Sequence, residues 1–359
     1  MLAKISIACT ALVLVSYITA GAQDPRHAET AVEVLPENKT LHVAVDGTGD
    51  FSSIQRAIDV APSTGGAVIL VAPGTYREVL TIDKPKIQLR SANPDASKTV
   101  VVFNRYASAN GGTSHTATVS VSGDDFLAEN ITFQNDYQPA GDPYPEGSQA
   151  VALRVNGDRA VFRNIRLLSH QDTLYAGSKG CMGSTDRSTC KTARQYFSHC
   201  YIEGNFDFIF GDGRTVFDHC EIRSLPLVEG FITAQSNIYP HQDSGYVIFK
   251  SRLTADPGVS HVWLGRPWRP YSTVTYIDTE MGDHIVQAGW REWLPGKTNS
   301  IETSTYSESG SYGPGSQRSA RDPHTHFLTP EEAKQYEPSN FLRGDDSWDP
   351  VNHEARPLP

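Results

Sequence analysis

The segment GDDFLAENIT at residues 123–132 returns 34 positions later as GDRAVFRNIR at residues 157–166. A second pair, FSHCYIE at residues 197–203 and FDHCEIR at residues 217–223, repeats after 20 positions. Each copy is a short β-rich run, and helical periodicity is scarce along the chain. A repeat of about 20 residues, built from short strands and turns with variable insertions, is typical of one coil of a parallel β-helix. We therefore predict an all-β parallel β-helix; the alternative is an antiparallel sandwich with coincidental repeats.

The repeat alignment puts Asn130, Asn164, Cys200 and Cys220 at one position of the coil. Stacked Asn side chains could hydrogen-bond along the axis of the helix, as they do in cross-β ladders. Neighbouring coils lie about 4.8 Å apart, which is close to the range in which two cysteines can be bridged. We therefore predict a Cys200–Cys220 disulfide.

The first 22 residues read as a secretory signal peptide, with Lys4 ahead of an apolar run and Ala-Gly-Ala at positions 20–22. The alternative is an uncleaved membrane anchor. Four cysteines follow this segment, an even number that agrees with export to an oxidising compartment. Two of them, Cys181 and Cys190, lie in a Gly/Ser/Thr-rich insertion, and we predict a second disulfide between them. The protein is expected to be secreted.

The remainder of the chain is predicted to be a linker at residues 23–40 and a single β-helix domain at residues 41–359. Residues 52–61 have apolar positions at helical spacing behind a Ser N-cap. Residues 329–334 give a second helix start, with Thr, Pro and two acids in order. Because a solenoid has two open ends, we expect short capping helices at both termini, the second within a capping tail at about 325–359.

The net charge of the chain limits the kinds of binding partner to be expected. The chain has 31 Lys and Arg against 41 Asp and Glu, a formal net charge of −10. Such a balance argues against nucleic acid or an anionic membrane as the main partner. No segment beyond the leader has the ~20 apolar residues that would span a bilayer. We expect a monomer that binds neither nucleic acid nor membrane.

Two acidic residues stand out as candidate catalytic groups, because the serine-esterase, zinc-protease and P-loop motifs are absent. Asp172 lies in SHQDTLY at residues 169–175, and Asp207 lies between two phenylalanines in GNFDFIFG at residues 204–211. They follow successive copies of the repeat at nearly the same distance, so neighbouring coils would bring the carboxylates together. Two like charges at that distance separate their pKa values, which leaves one acid and one base or nucleophile. The alternative is a pair of structural turn aspartates.

A third block, LGRPW at residues 264–268, supplies a cation and an aromatic ring two residues apart. Side chains at this spacing share one face of a strand. Arg266 could hold a carboxylate in its ionised form, and Trp268 could stack on a sugar ring. On its own this pattern is weak, since an arginine near a tryptophan is common on surfaces.

Together these segments resemble pectin methylesterases (pectinesterases) of the secreted microbial type, over about residues 41–350. The blocks that carry the resemblance are DGTGDF (46–51), GTYRE (74–78), QAVALR (149–154), QDTL (171–174), DFIFG (207–211) and LGRPW (264–268). The resemblance implies a right-handed parallel β-helix. It also implies an esterase that removes methyl groups from the C6 carboxyl of galacturonosyl units in pectin, giving pectate and methanol.

The family mechanism falls on matching residues. Asp207 would be the nucleophile, and Asp172 would protonate the departing methanol and then activate water. Gln149 and Gln171 would donate hydrogen bonds to the oxyanion. Arg266 would orient Asp207 and keep it ionised by lowering its pKa. The substrate-contacting residues would be Thr113, Gln149, Phe206, Arg266, Trp268 and Trp290.

No cofactor and no metal are expected, and the partner is methyl-esterified homogalacturonan. Two other classes of function stay open at this point. One is another polysaccharide-active β-helix enzyme, a pectate lyase or a polygalacturonase-like hydrolase, because a carboxylate pair also serves glycosidic-bond hydrolysis. The other is a non-catalytic carbohydrate-binding β-helix, in which the polar residues only form ladders and turns.

Overall fold

The computed structural model describes residues 39–64, 66–181 and 189–352. The predicted signal peptide and nearly all of the predicted linker lie outside these residues. Short strands dominate the described chain. In chain order they are β1 (Thr40–Val43), β2 (Val68–Val71), β3 (Gly74–Tyr76), β4 (Leu80–Ile82), β5 (Gln88–Ser91), β6 (Thr99–Phe103), β7 (Val119–Val121), β8 (Leu127–Glu129), β9 (Thr132–Asn135), β10 (Leu153–Val155), β11 (Ala160–Arg163), β12 (Arg166–Leu168), β13 (Leu174–Ala176), β14 (Arg194–Ser198), β15 (Tyr201–Gly204), β16 (Ile209–Gly211), β17 (Arg214–Asp218), β18 (Glu221–Ser224), β19 (Gly230–Gln235), β20 (Gly245–Phe249), β21 (Arg252–Ala255), β22 (Val262–Gly265), β23 (Thr273–Ile277), β24 (Glu280–Met281), β25 (Thr305–Ser309) and β26 (Thr325–Phe327).

In the described part of the chain, helices are few and short. The α-helices are α1 (Ile54–Val60), α2 (Ala107–Asn110), α3 (Pro330–Ala333) and α4 (Pro338–Phe341), and 3₁₀ turns occur at Ala96–Lys98, Thr113–His115, Ser300–Thr303, Arg318–Ala320 and Lys334–Tyr336. Within the described ranges, none of the helices is long and apolar enough to cross a membrane.

The strands form three parallel sheets that wind around one axis. The long sheet is ordered β1-β2-β5-β8-β11-β14-β17-β20-β23-β25-β26, the site sheet β22-β19-β16-β13-β10-β7-β4, and the third sheet β24-β21-β18-β15-β12-β9-β6-β3. Every strand pair in these sheets is parallel, because each strand hydrogen-bonds to its counterpart in the next coil. The predicted right-handed parallel β-helix is confirmed.

The strand register reproduces the sequence repeats. Leu127 pairs with Val161 across the 34-residue repeat, and Phe197 pairs with Phe217 across the 20-residue repeat. Equivalent side chains therefore stack inside the coils: Phe162 lies 4.4 Å from Phe197, and Phe197 lies 5.2 Å from Phe217, between ring centroids. All three rings are fully buried. The repeat thus encodes a continuous apolar core along the axis.

The turn between the long and third sheets is a ladder of residues with positive φ. Asn130, Asn164, His199 and His219 occupy it, at φ of 58°, 47°, 55° and 52°. Asn tolerates this left-handed conformation better than most residues. The Asn164 side-chain amide also donates to the Asn130 Oδ1 at 2.7 Å. The predicted Asn ladder therefore exists, but it continues through the histidines.

The cysteines lie one residue further along the chain than the alignment assumed. Cys200 and Cys220 occupy the position of Ile165 and point into the core, where both are buried free thiols. The predicted Cys200–Cys220 disulfide is therefore wrong in this structure. Paired residues of parallel strands project side by side, so their Cβ atoms stay about 4.8 Å apart, more than a disulfide needs. The predicted Cys181–Cys190 disulfide is present.

The N-terminal helix covers the first coils as expected. Helix α1 is capped by Ser53, whose hydroxyl accepts from the Arg56 backbone N–H at 3.3 Å. Its apolar face, which includes Ile54 and Ile58, is buried against the core. Pro62 follows the C-terminus of α1 and prevents its continuation.

The C-terminal helices lie on a flank of the β-helix, so the expectation that they cap its C-terminal end is wrong. Thr329 and Glu332 form a capping box that starts α3, as the sequence predicts. Beyond it, Tyr336, Phe341 and Trp348 pack on outward-facing apolar side chains of the long sheet. The tail from β26 onward thus covers the outer face of this sheet, because its strands expose a second apolar row there.

Candidate active site

The two candidate aspartates lie at the same position of neighbouring coils. Asp172 precedes β13 and Asp207 precedes β16, and these strands pair with Leu174 opposite Ile209. The Asp172 backbone N–H donates to the Phe206 carbonyl at 3.1 Å. Both aspartates have positive φ, 63° and 49°, so the chain turns at each of them immediately before its strand. In-register coils are about 4.8 Å apart, which brings the carboxyl groups side by side.

An arginine bonds to one of the two carboxylates. The Arg266 guanidinium donates from Nε to the Asp207 Oδ1 at 2.9 Å and from Nη2 to the Asp207 Oδ2 at 2.7 Å. Both side chains are close to fully buried, with 12% and 9% of their surfaces exposed. A bidentate pair of this kind holds the carboxylate in one orientation. Asp172 is equally buried, and its pKa is influenced by Arg266 only through the charge.

The environments of the two carboxyls separate their pKa values. Burial raises the pKa of Asp172 well above its ordinary value, and the negative charge of Asp207 raises it further. Burial also raises the pKa of Asp207, but the charge and hydrogen bonds of Arg266 oppose that shift. The expected lowering of the Asp207 pKa by Arg266 is thus outweighed by desolvation. The two environments therefore favour ionisation of Asp207 before Asp172.

The pair lies at the base of a cleft of about 490 Å³ on the site sheet. The cleft is lined by Thr113, Ser114, Gln149, Gln171, Asp172, Tyr175, Phe206, Asp207, Phe210, Ala234, Arg266, Trp268 and Trp293. The structure therefore brings together all but one of the predicted site residues. Carboxyl, amide, cation and aromatic groups converge on one space, which could hold a sugar ring beside a nucleophile.

Trp290 is the exception. Only 2% of Trp290 is exposed, and its ring stacks on Tyr306 at 4.0 Å between centroids, inside the core. The prediction that it contacts substrate is wrong. Its neighbour Trp293 lines the cleft instead, with the Arg266 guanidinium 4.1 Å from its ring. Trp290 forms an isolated parallel bridge with Gly265, and no sequence pattern indicated which tryptophan of GWREW would face inward.

Two more cleft residues were missed, although the repeat carries a signal for them. Tyr175 and Phe210 pair across β13 and β16, and their rings stack at 4.6 Å. Each lies three residues after one of the two candidate aspartates. Extending the repeat alignment past Asp172 and Asp207 would have predicted this aromatic wall.

Further cavities flank the cleft and differ in charge. One of about 500 Å³ contains Arg105 and Arg154, and the described residues that line it include no acid. The other, of about 350 Å³, contains Asp142, Glu146 and Glu229 without a cation among its described lining residues. The acidic cavity shares Gln149, Gln171 and Phe206 with the central cleft, and the cationic cavity shares Ser114 with it. The three spaces form a groove that is cationic on one side and acidic on the other.

Among the described residues, no three His, Cys, Asp or Glu side chains cluster as a metal-binding set. Of the two acids, Asp207 is ion-paired with the guanidinium of Arg266.

The chain matches the pectinesterase family model over residues 40–345. It is 36% identical to pectinesterase 31 from Arabidopsis thaliana over 321 residues. This alignment covers 86% of this chain and 93% of the relative. It spans about half the length of other Arabidopsis relatives, which carry a combined pectinesterase/pectinesterase inhibitor name.

Solved structures agree with this match. The pectin methylesterase from carrot superposes with a TM-score of 0.77 at 30% identity, covering 89% of this chain and 97% of the other. A pectin methylesterase in complex with a hexasaccharide superposes with a TM-score of 0.71 at 28% identity, over 90% of this chain and 100% of the other. The buried aspartate pair and its arginine thus lie in a chain that belongs to the pectinesterase family.

Proposed function

We propose that the protein is a secreted, monomeric pectin methylesterase in which Asp207 is the nucleophile and Asp172 the general acid and base. The observation that carries the assignment is the bidentate Arg266–Asp207 pair beside a second buried carboxyl, that of Asp172. One carboxylate is fixed and ionised for attack, while its neighbour retains a proton to donate. This division of roles is the one that acyl transfer needs.

In the first half of the reaction, an Asp207 oxygen attacks the C6 carbonyl carbon of a methyl-esterified galacturonosyl unit. The carbonyl oxygen becomes an oxyanion, for which Gln149 and Gln171 supply amide N–H donors from the cleft wall. The C–O bond to the methoxy group then breaks, and Asp172 gives its proton to the departing methanol. The products of this half are methanol and an acyl-enzyme anhydride at Asp207.

In the second half, the Asp172 carboxylate accepts a proton from water, whose oxygen attacks the C6 carbonyl of the anhydride. Collapse of the second oxyanion breaks the bond to Asp207, regenerates the ionised carboxylate and releases the C6 carboxylic acid, which loses its proton to solvent. Asp172 ends protonated, as it began. Arg266 remains bonded to Asp207 when the carboxylate returns.

The surrounding groove supports a polymeric acidic sugar as substrate. Trp268 and Trp293 offer rings for stacking on sugar faces, and the ring centroids lie 6.5 Å apart. Arg154 lies over the Tyr175 ring at 5.4 Å and faces the cationic cavity with Arg105. Among the described residues that line this cavity these two cations have no acidic neighbour, so they would attract the free carboxylates of a partly de-esterified chain.

The test is a product analysis with highly methylated pectin. The proposal predicts methanol without unsaturated ends and without new reducing ends. Unsaturated products would identify a lyase, and new reducing ends would identify a glycoside hydrolase. Binding without any product would identify a carbohydrate-binding β-helix.

A further inference from the structure

The Arg266 guanidinium is enclosed by three aromatic rings. Its central carbon lies 4.1 Å from the ring centroid of Trp293, 4.2 Å from Phe231 and 4.6 Å from Phe206. All three distances are well inside the ~6 Å reach of a cation–π contact. The ring faces attract the cation but accept no strong hydrogen bond, so Asp207 is the preferred acceptor for the guanidinium.

Phe231 differs from the other two rings in where it lies. Phe206 and Trp293 line the cleft, whereas Phe231 does not and is fully buried. It belongs to β19, whose pairing with β16 sets it one coil beyond Asp207. Its ring thus contacts Arg266 from the buried side, whereas substrate would approach from the cleft side.

A second layer holds the Phe231 ring in place. The Trp263 ring is nearly parallel to it at 6.4 Å, with an interplanar angle of 11°. Arg291 lies over both rings, at 5.7 Å from Phe231, and is ion-paired with Glu229. Glu229 also accepts from the Trp263 indole N–H at 3.0 Å. The Phe231 ring therefore has little freedom to tilt away from Arg266.

We propose that Phe231 is a positioning residue for catalysis, which acts by holding the Arg266 guanidinium in the plane that its two bonds to Asp207 require. The inference rests on the proposed esterase function. An aliphatic side chain of similar size would fill the space but would offer no π face to the cation. The guanidinium could then rotate away from the bidentate geometry.

The test compares Phe231→Leu with Phe231→Tyr, which keeps the ring. We expect Phe231→Leu to lower kcat for methanol release about tenfold with KM unchanged, and Phe231→Tyr to retain most of the activity. Phe217→Leu is the matched control, because Phe217 is also fully buried and stacks with other rings away from the cleft. All variants are assayed well below their unfolding temperatures, and Phe231→Met serves as a second aliphatic variant if Phe231→Leu fails to fold.

A double-mutant cycle completes the test. In an Arg266→Lys background, Phe231→Leu should cost less than twofold, because the planar cation that it orients is gone. An undiminished cost in that background, or an equal loss of kcat in Phe217→Leu, would overturn the positioning role. Failure of the proposed function is a separate outcome, since wild-type protein would then release no methanol.

Discussion

Replacing Arg266 with lysine tests the geometry of the site without removing its charge. The two bonds from Arg266 to Asp207 measure 2.9 and 2.7 Å, and both side chains are nine-tenths buried, so solvent screens them little. Lysine is a point donor that cannot reproduce both bonds of the planar fork. Losing one charge-assisted bond costs about 2 kcal/mol, which corresponds to about a 30-fold fall in kcat.

The assay is methanol release from highly methylated pectin across a range of pH. Since Arg266 opposes the burial-driven rise of the Asp207 pKa, weakening it should raise that pKa further. The acid limb of kcat/KM should therefore move to higher pH in Arg266→Lys. KM should change little, because the lost bond does not involve the substrate.

Arg194→Lys is the matched control for the loss of a buried bidentate pair. Arg194 has 11% of its side chain exposed and bonds to Asp158 at 3.0 and 2.7 Å, beside the C-terminal tail. It should lower the unfolding temperature and leave kcat unchanged. The reasoning is refuted if Arg266→Lys retains wild-type kcat, or if Arg194→Lys loses kcat to the same degree.

Four further outcomes are expected. Asp172→Asn should abolish turnover. Calorimetry should show that its unfolding temperature exceeds that of wild type, by an amount that grows as the pH rises from about 4. The sign follows because the folded pKa of Asp172 lies above its unfolded value, so wild-type stability falls as pH rises through that window. Wild-type kcat/KM should be bell-shaped, falling at low pH as Asp207 protonates and at high pH as Asp172 ionises; a flat profile would contradict the assignment. Trp293→Phe should raise KM several-fold with little change in unfolding temperature, whereas Trp290→Phe should lower the unfolding temperature with little change in KM. The opposite result would place Trp290 in the cleft and Trp293 in the core. Arg154→Gln should raise KM more for partly de-esterified than for fully methylated pectin; equal changes would exclude a carboxylate contact.

The fold could be predicted because similar segments recur in the sequence at fixed spacings. Offsets of 34 and 20 residues correspond directly to the strand register, with Leu127 opposite Val161 and Phe197 opposite Phe217. The same logic correctly set Asp172 and Asp207 on neighbouring coils. In a parallel solenoid, residues that are one repeat apart in the sequence lie side by side in adjacent coils, so the repeat length predicts which residues are in contact.

The predictions failed at positions where a shift of one residue decides whether a side chain points into the core or away from it. Cys200 and Cys220 lie one position past the turn ladder, so they join the core instead of the Asn row. Trp290 and Trp293 lie in an irregular segment without strand alternation, where no periodicity tells inside from outside. The enclosure of Arg266 was also out of reach, because Phe206, Phe231 and Trp293 come from three separate coils or loops.

The most direct test is the rate of methanol release by Asp207→Asn, measured well below the unfolding temperature of the variant and with a circular dichroism spectrum that matches wild type. Asparagine keeps the shape of the side chain but cannot attack as a carboxylate. A fall to below about a thousandth of the wild-type rate is predicted, as expected when a covalent nucleophile is removed. A rate within tenfold of wild type would contradict the assignment of Asp207 as the attacking group.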